Sequence, residues 1–148
     1  MALRKETTKR QFAEALASML EPGERVDAAS LTKTGPSPWL AQGLIGILMF
    51  YALGARIYYL VVTDRRVIFM QASFWSGRPK GLCHADPRTS VSVSDVRRRR
   101  IWSRLQYRRP DGTSLRINFH RIWAREMDGV VQTLTAPSIP PPPAPVAT

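Results

Sequence analysis

Cysteine and histidine are nearly absent from this chain, and acidic residues are scarce. A lone cysteine, Cys83, leaves no internal disulfide possible in 148 residues. That excludes a disulfide-stapled secreted scaffold and makes a reducing compartment the default. Two histidines, His84 and His120, give no metal set of usable spacing with that cysteine. No phosphate-cradling glycine loop, paired-carboxylate site or cofactor fingerprint occurs, so no catalytic residue, cofactor or metal is assigned, and no small-molecule substrate is expected. Cys83 acting as a nucleophile with His120 is the residual enzymatic reading. A buried structural cysteine is favoured over it.

Acidic residues number 11 against 22 Lys plus Arg, a formal net charge of +11. Such an excess favours a polyanionic partner, either anionic lipid or nucleic acid, and says nothing of fold. Hydrophobic residues at 44% exclude a wholly disordered chain, and the length suits one domain with its own core. Arg4 and Lys5 are not followed by an apolar run with a small-residue cleavage site, so no signal peptide is read and a cytoplasmic protein is expected.

Long apolar runs are missing too, with one exception. Residues 39–55 carry no charge and include Trp39, Leu40, Leu44, Ile45, Ile47, Leu48, Phe50 and Tyr51. A membrane span needs about twenty apolar residues, whereas a run of about 10–14 suits a packed or re-entrant helix. If strands before and after this insert share a sheet, one crossing would put them on opposite sides of a bilayer. A helix packed on its own domain or on a second copy therefore leads, a segment dipping into the interface follows, and a true span comes last.

The remaining elements follow from periodicity. Residues 1–22 hold an amphipathic helix: Phe12, Leu16, Met19 and Leu20 recur at helical spacing, Thr8 and Gln11 have capping-box spacing, and Pro22 with Gly23 stops it. The domain proper runs over 23–135. Glu24 to Lys33 reads as a strand. Ile57–Val62 and Val67–Met70 are two more, joined by a polar turn, and Ser73–Pro87 reads as a loop with a short strand near Gly81–His84. Ser90–Val96 alternates. Ile101, Ser103, Leu105 and Tyr107 form an inward face, mirrored after the Pro110–Gly112 turn by Leu115, Ile117 and Phe119. A closing helix from about His120 to Thr135 carries the stripe Trp123, Met127, Val130, Val131 and Leu134. Residues 136–148 are a proline-rich tail, expected to be disordered. The class is α+β: a bent antiparallel sheet of about seven strands, a partly open barrel closed by a C-terminal helix, with an extra N-terminal helix and an apolar helical insert between the first two strands.

Two clusters of residues carry a resemblance. Tyr58–Thr63, then Asp64, Arg65, Arg66 and Val67–Met70, resembles the Thr-Asp-Arg-Arg hairpin of bacterial pleckstrin-homology-like (PH-like) domains, kin in shape to GRAM domains. Pro22, Gly23 and Glu24 before the first strand resemble them as well. The resemblance implies a seven-stranded barrel-like sheet with a C-terminal helix, no enzymatic activity, and binding of lipid, peptide or a second copy. It also implies a headgroup pocket at Lys33 and Arg56, with Tyr58 standing where a second basic residue is expected.

Between Arg97 and Arg125 lie ten arginines and one acid, Asp111. Strand alternation puts Arg100, Trp102, Arg104, Gln106 and Arg108 on one outward face, extended by Arg116 and Asn118. With Arg97, Arg98 and Arg99 this makes an anion-binding surface. An anionic-lipid platform and a merely solvated face stand level, and single-stranded nucleic acid stacking on Trp102 ranks behind them because the apolar insert has no use there. The function expected is a non-enzymatic module peripheral at an anionic membrane. The alternative is a protein-protein or self-assembly module using the insert.

Overall fold

The computed structural model describes residues 2–35, 46, 48, 52, 54–73 and 76–136. Seven strands follow one helix: α1 (Ala2–Ala17), β1 (Val26–Thr34), β2 (Arg56–Thr63), β3 (Arg66–Ala72), β4 (Pro79–Pro87), β5 (Ser92–Arg97), β6 (Trp102–Arg108) and β7 (Ser114–His120). A 3-10 turn at Arg121–Trp123 leads into α2 (Ala124–Thr135). All strands join one antiparallel sheet in the order β4-β3-β2-β1-β7-β6-β5, which is not closed. The α+β reading and the strand count therefore hold.

The joint between β1 and β7 sets the shape. β1 pairs with β2 along its length, but meets β7 only at Lys33↔Asn118 and Thr34↔Ile117. Two half-sheets thus meet at a short hinge and share one interior. Leu60 and Val62 from β2, Val67 and Phe69 from β3, Leu105 and Tyr107 from β6, and Ile117 and Phe119 from β7 are fully buried there with Met127 and Val130 of α2. Every second strand residue faces this interior, as pleating requires. Across the open seam, Asp86 of β4 accepts from the Tyr107 hydroxyl at 3.0 Å and from Arg109 Nε and Nη2, each at 3.3 Å. Side chains tie the edges that backbone bonds do not.

The opposite face of β1–β4 is apolar as well, because α1 covers it. Phe12, Leu16, Met19 and Leu20 pack on Tyr59, Val61, Ile68 and Met70, with Phe12 stacked on Tyr59 at 4.5 Å. The helical spacing of those four residues predicts this contact, but α1 already runs from Ala2, so Thr8 lies within the helix and does not cap it. Met19 and Leu20 follow in the turn after Ala17.

The Thr-Asp-Arg-Arg hairpin is a structural knot. Glu24, with a fully buried side chain, accepts from Thr63 Oγ1 (2.7 Å), Arg66 Nε (2.9 Å), Arg66 Nη2 (2.8 Å) and the Glu21 backbone (2.9 Å). Asp64 accepts from the Arg25 backbone N–H at 3.0 Å, which fixes the start of β1 to the β2–β3 turn. Arg88 then donates to Asp27 (2.7 Å), the Thr63 carbonyl (3.0 Å) and the Thr133 carbonyl (2.8 Å), clamping the end of α2 to β1. A cation suits those last helical carbonyls.

Three expectations need correction. The loop over 73–87 is instead largely the nine-residue β4, whose register slips twice against β3 and so hides its alternation. Cys83 sits at one of those slips, between the pairs Phe69↔His84 and Met70↔Leu82, and is exposed rather than buried. Ile101 lies in the turn before β6 and is exposed, outside the inward face of Ser103, Leu105 and Tyr107. Of the insert, Trp39, Leu40, Leu44, Ile45, Ile47, Phe50 and Tyr51 lie outside the described residues, as does the tail from 137.

Candidate functional site

The outer faces of β5, β6 and β7 form one polar surface. Register aligns Trp102↔His120, Arg104↔Asn118, Gln106↔Arg116 and Arg108↔Ser114, with Ser92, Ser94 and Arg97 continuing the rows on β5. Asp95 bulges from β5 with a positive φ of 46°, and its carboxylate accepts from Arg97 at 2.7 Å and from Arg104 at 3.3 Å. Both arginines hold its pKa below the usual carboxylate range, the Arg97 hydrogen bond most strongly. Arg98 pairs with Asp128 of α2 at 2.8 Å. Three of the eight residues assigned to the anion surface are thus matched by acids that lie outside the 97–125 window.

Arg99, Arg100, Arg108 and Arg116 make no ion pair among the described residues. Arg100 occupies the β5–β6 turn, two residues before the strand to which alternation assigns it. Arg116 is half-buried, and its Nε is buried with no acceptor; the Nε of Arg104 shares that state. These two stand diagonally across β6 and β7 on one face. A partly desolvated guanidinium with donors unmet gains more from an anion than a fully hydrated one.

At the other end of the same face, Lys33 Nζ lies 5.0 Å from the centre of the Trp102 ring, and Trp102 meets His120 edge-on at 4.9 Å. Burial lowers the Lys33 pKa. His120 is lowered by burial first, then by Arg121 and Lys33. The proposed headgroup pair does not assemble: Lys33 lies opposite Ile57 and Arg56 opposite Thr34, so Lys33 and Arg56 project from opposite faces of the sheet. Nor do Cys83 and His120 meet. Cys83 lies beside Tyr58, while His120 packs on Trp102.

Two hollows border Lys33. A cleft of about 60 Å³ is walled by Lys33, Trp102, His120 and Trp123, and a cavity of about 280 Å³ lies between Phe12, Ala29, Tyr59 and Trp123, with Lys9 and Glu126 beside it. Leu31 and Trp123 line both. Trp123 precedes α2 in the 3-10 turn, so it leaves the helical stripe and lines these two hollows instead of the interior. Periodicity assigns it to the core, and only the offset of the helix start signals otherwise.

The insert springs from one point. Gly35 has a φ of 108°, and a Cβ placed on it would lie 3.1 Å from the Ala55 Cα. Its departure and return are therefore side by side. Asn118 Nδ2 donates to the Lys33 and Gly35 carbonyls at 3.3 and 3.5 Å, and Arg116 is the β7 residue next beyond the last β1 pair, Thr34↔Ile117. Of the insert itself, Gly46, Leu48 and Ala52 are helical, and Leu48 is 65% exposed. Among the described residues no helix is long and apolar enough to cross a membrane.

No family model matches the chain, and no curated protein does.

Proposed function

We propose that this chain is a non-enzymatic PH-like interaction module that docks peripherally on an anionic membrane surface. The arginine face supplies charge and the apolar insert supplies the anchor. One observation carries the reading: Arg116 and Arg104 hold buried Nε donors without acceptors beside the root of the insert. Each basic residue near an anionic surface contributes about 1 kcal/mol, and an apolar segment beside it adds burial in the interface. The side-by-side roots at Gly35 and Ala55 suit a segment that dips and returns rather than one that crosses. Arg99, Arg100 and Arg108 extend the same charged surface. Exposed Leu48 favours a second reading, self-association through the insert.

Co-sedimentation with vesicles tests the proposal. The chain is expected to pellet with anionic vesicles and not with neutral ones. Replacing Arg100, Arg104 and Arg116 by Glu should weaken pelleting by at least about a hundredfold. Pelleting that ignores lipid charge, or steep salt-dependent binding of single-stranded oligonucleotides without vesicle binding, overturns it. A concentration-dependent dimer by light scattering, with no vesicle binding, would favour self-association instead.

A further inference from the structure

The two hollows beside Lys33 share Leu31 and Trp123, so they follow β1 as one groove. Residues 29–31 border the larger part and residues 31–33 the smaller. The larger part is apolar on nearly every side, from Phe12 of α1 to Tyr59 and Trp123. Its volume, about 280 Å³, is roughly twice that of an apolar cavity that takes up benzene, room for roughly a dozen carbons. Two residues beyond Leu31, about 7 Å along an extended strand and on the same face of β1, the Lys33 ammonium stands over Trp102 with the arginine face beyond it. An apolar end and a cation at the far end describe a ligand with the complementary sequence of groups.

We propose that this groove binds a monoacyl lipid with an anionic head. The acyl chain lies between α1 and β1, and the head rests on Lys33. The inference deepens the membrane reading, from which it takes the lipid class: the bilayer is met by the arginine face, and one lipid species is held individually.

Direct titration of the full chain in the absence of vesicles tests this, using dodecanoyl glycerol phosphate below its micelle concentration, with monododecanoylglycerol as its neutral counterpart. Calorimetry should report saturable one-to-one binding with preference for the phosphate. Lys33→Met is expected to weaken the phosphate lipid about fivefold and leave the neutral lipid unchanged. Ala29→Phe, which fills the apolar end, should weaken both. Melting curves report whether each variant folds, and Lys33→Met alone suffices if Ala29→Phe does not. Absence of saturable binding, a phosphate preference that survives Lys33→Met, or full binding by folded Ala29→Phe overturns the proposal. A chain that pellets with anionic vesicles yet ignores the monomeric lipid fails this inference alone. One that binds the monomer but no vesicle fails the membrane reading.

Discussion

Glu24 shows how a single buried charge is held in this fold. Arg66 hydrogen-bonds it, opposed by burial and helped by the Glu21 N–H and the Thr63 hydroxyl, and its pKa falls from 4.5 to about 2. A carboxylate depressed in the folded state contributes stability that is whole above its unfolded pKa and is lost as pH falls toward the folded value. The loss should therefore run from about pH 4.5 down to about 2 and amount to roughly 3 kcal/mol at full protonation. Urea unfolding across that range measures it. Glu24→Gln should remove the slope and lower stability at neutral pH, because Arg66 loses its buried charge partner and keeps only the exposed Glu21 at 3.4 Å. An unchanged pH slope in the variant would assign the acid loss to other carboxylates. The same residues explain why the hairpin motif is visible in the sequence. Thr63, Asp64 and Arg66 hold the turn and the start of β1 together, so their pattern reports a fold requirement and not a ligand.

At the scale of elements, periodicity succeeded where one face is buried without interruption. The β2–β3 and β6–β7 hairpins and the buried stripe of α2 follow period two or 3.6, and the structure forms them close to the expected bounds. It failed at bulges. Slips beside Met70 and Ala72 concealed β4, and the kink at Asp95 separates Arg97 from the even alternation of β5. The candidate site was legible as a concentration of arginines but not as a distribution of charge, since Asp95 and Asp128 reach it from outside the counted window. The cavity was illegible because α1, β1, β2, the turn before α2 and α2 itself each give it only one to three residues. Gly35 is a point where one element constrains the next. Its positive φ and 3.1 Å approach to Ala55 leave little room for a side chain. Gly35→Ala should cost about 1–2 kcal/mol in chemical denaturation. A cost near zero would mean that the two roots of the insert need not touch.

Over the whole molecule, the division of surfaces follows from the hinge at β1 and β7. One half-sheet is covered on its outer face by α1, and the other leaves its outer face to the arginines. The insert emerges at the seam between them, next to Arg116. A formal charge of +11 is thus directed rather than spread, with Asp95 offsetting Arg97 and, through a longer bond to Nη2 alone, part of Arg104, whose Nε stays unpaired. Asn tolerates the backbone of Asp95, so Asp95→Asn frees both cations without forcing the bulge to change. The most direct measurement is partitioning onto vesicles of fixed anionic content, at one salt concentration, for the native chain, Asp95→Asn and Arg116→Glu. Opposite shifts are expected: tighter partitioning for Asp95→Asn and weaker for Arg116→Glu, each by about fivefold or more. Two variants that partition as the native chain does would contradict an arginine face that meets the membrane.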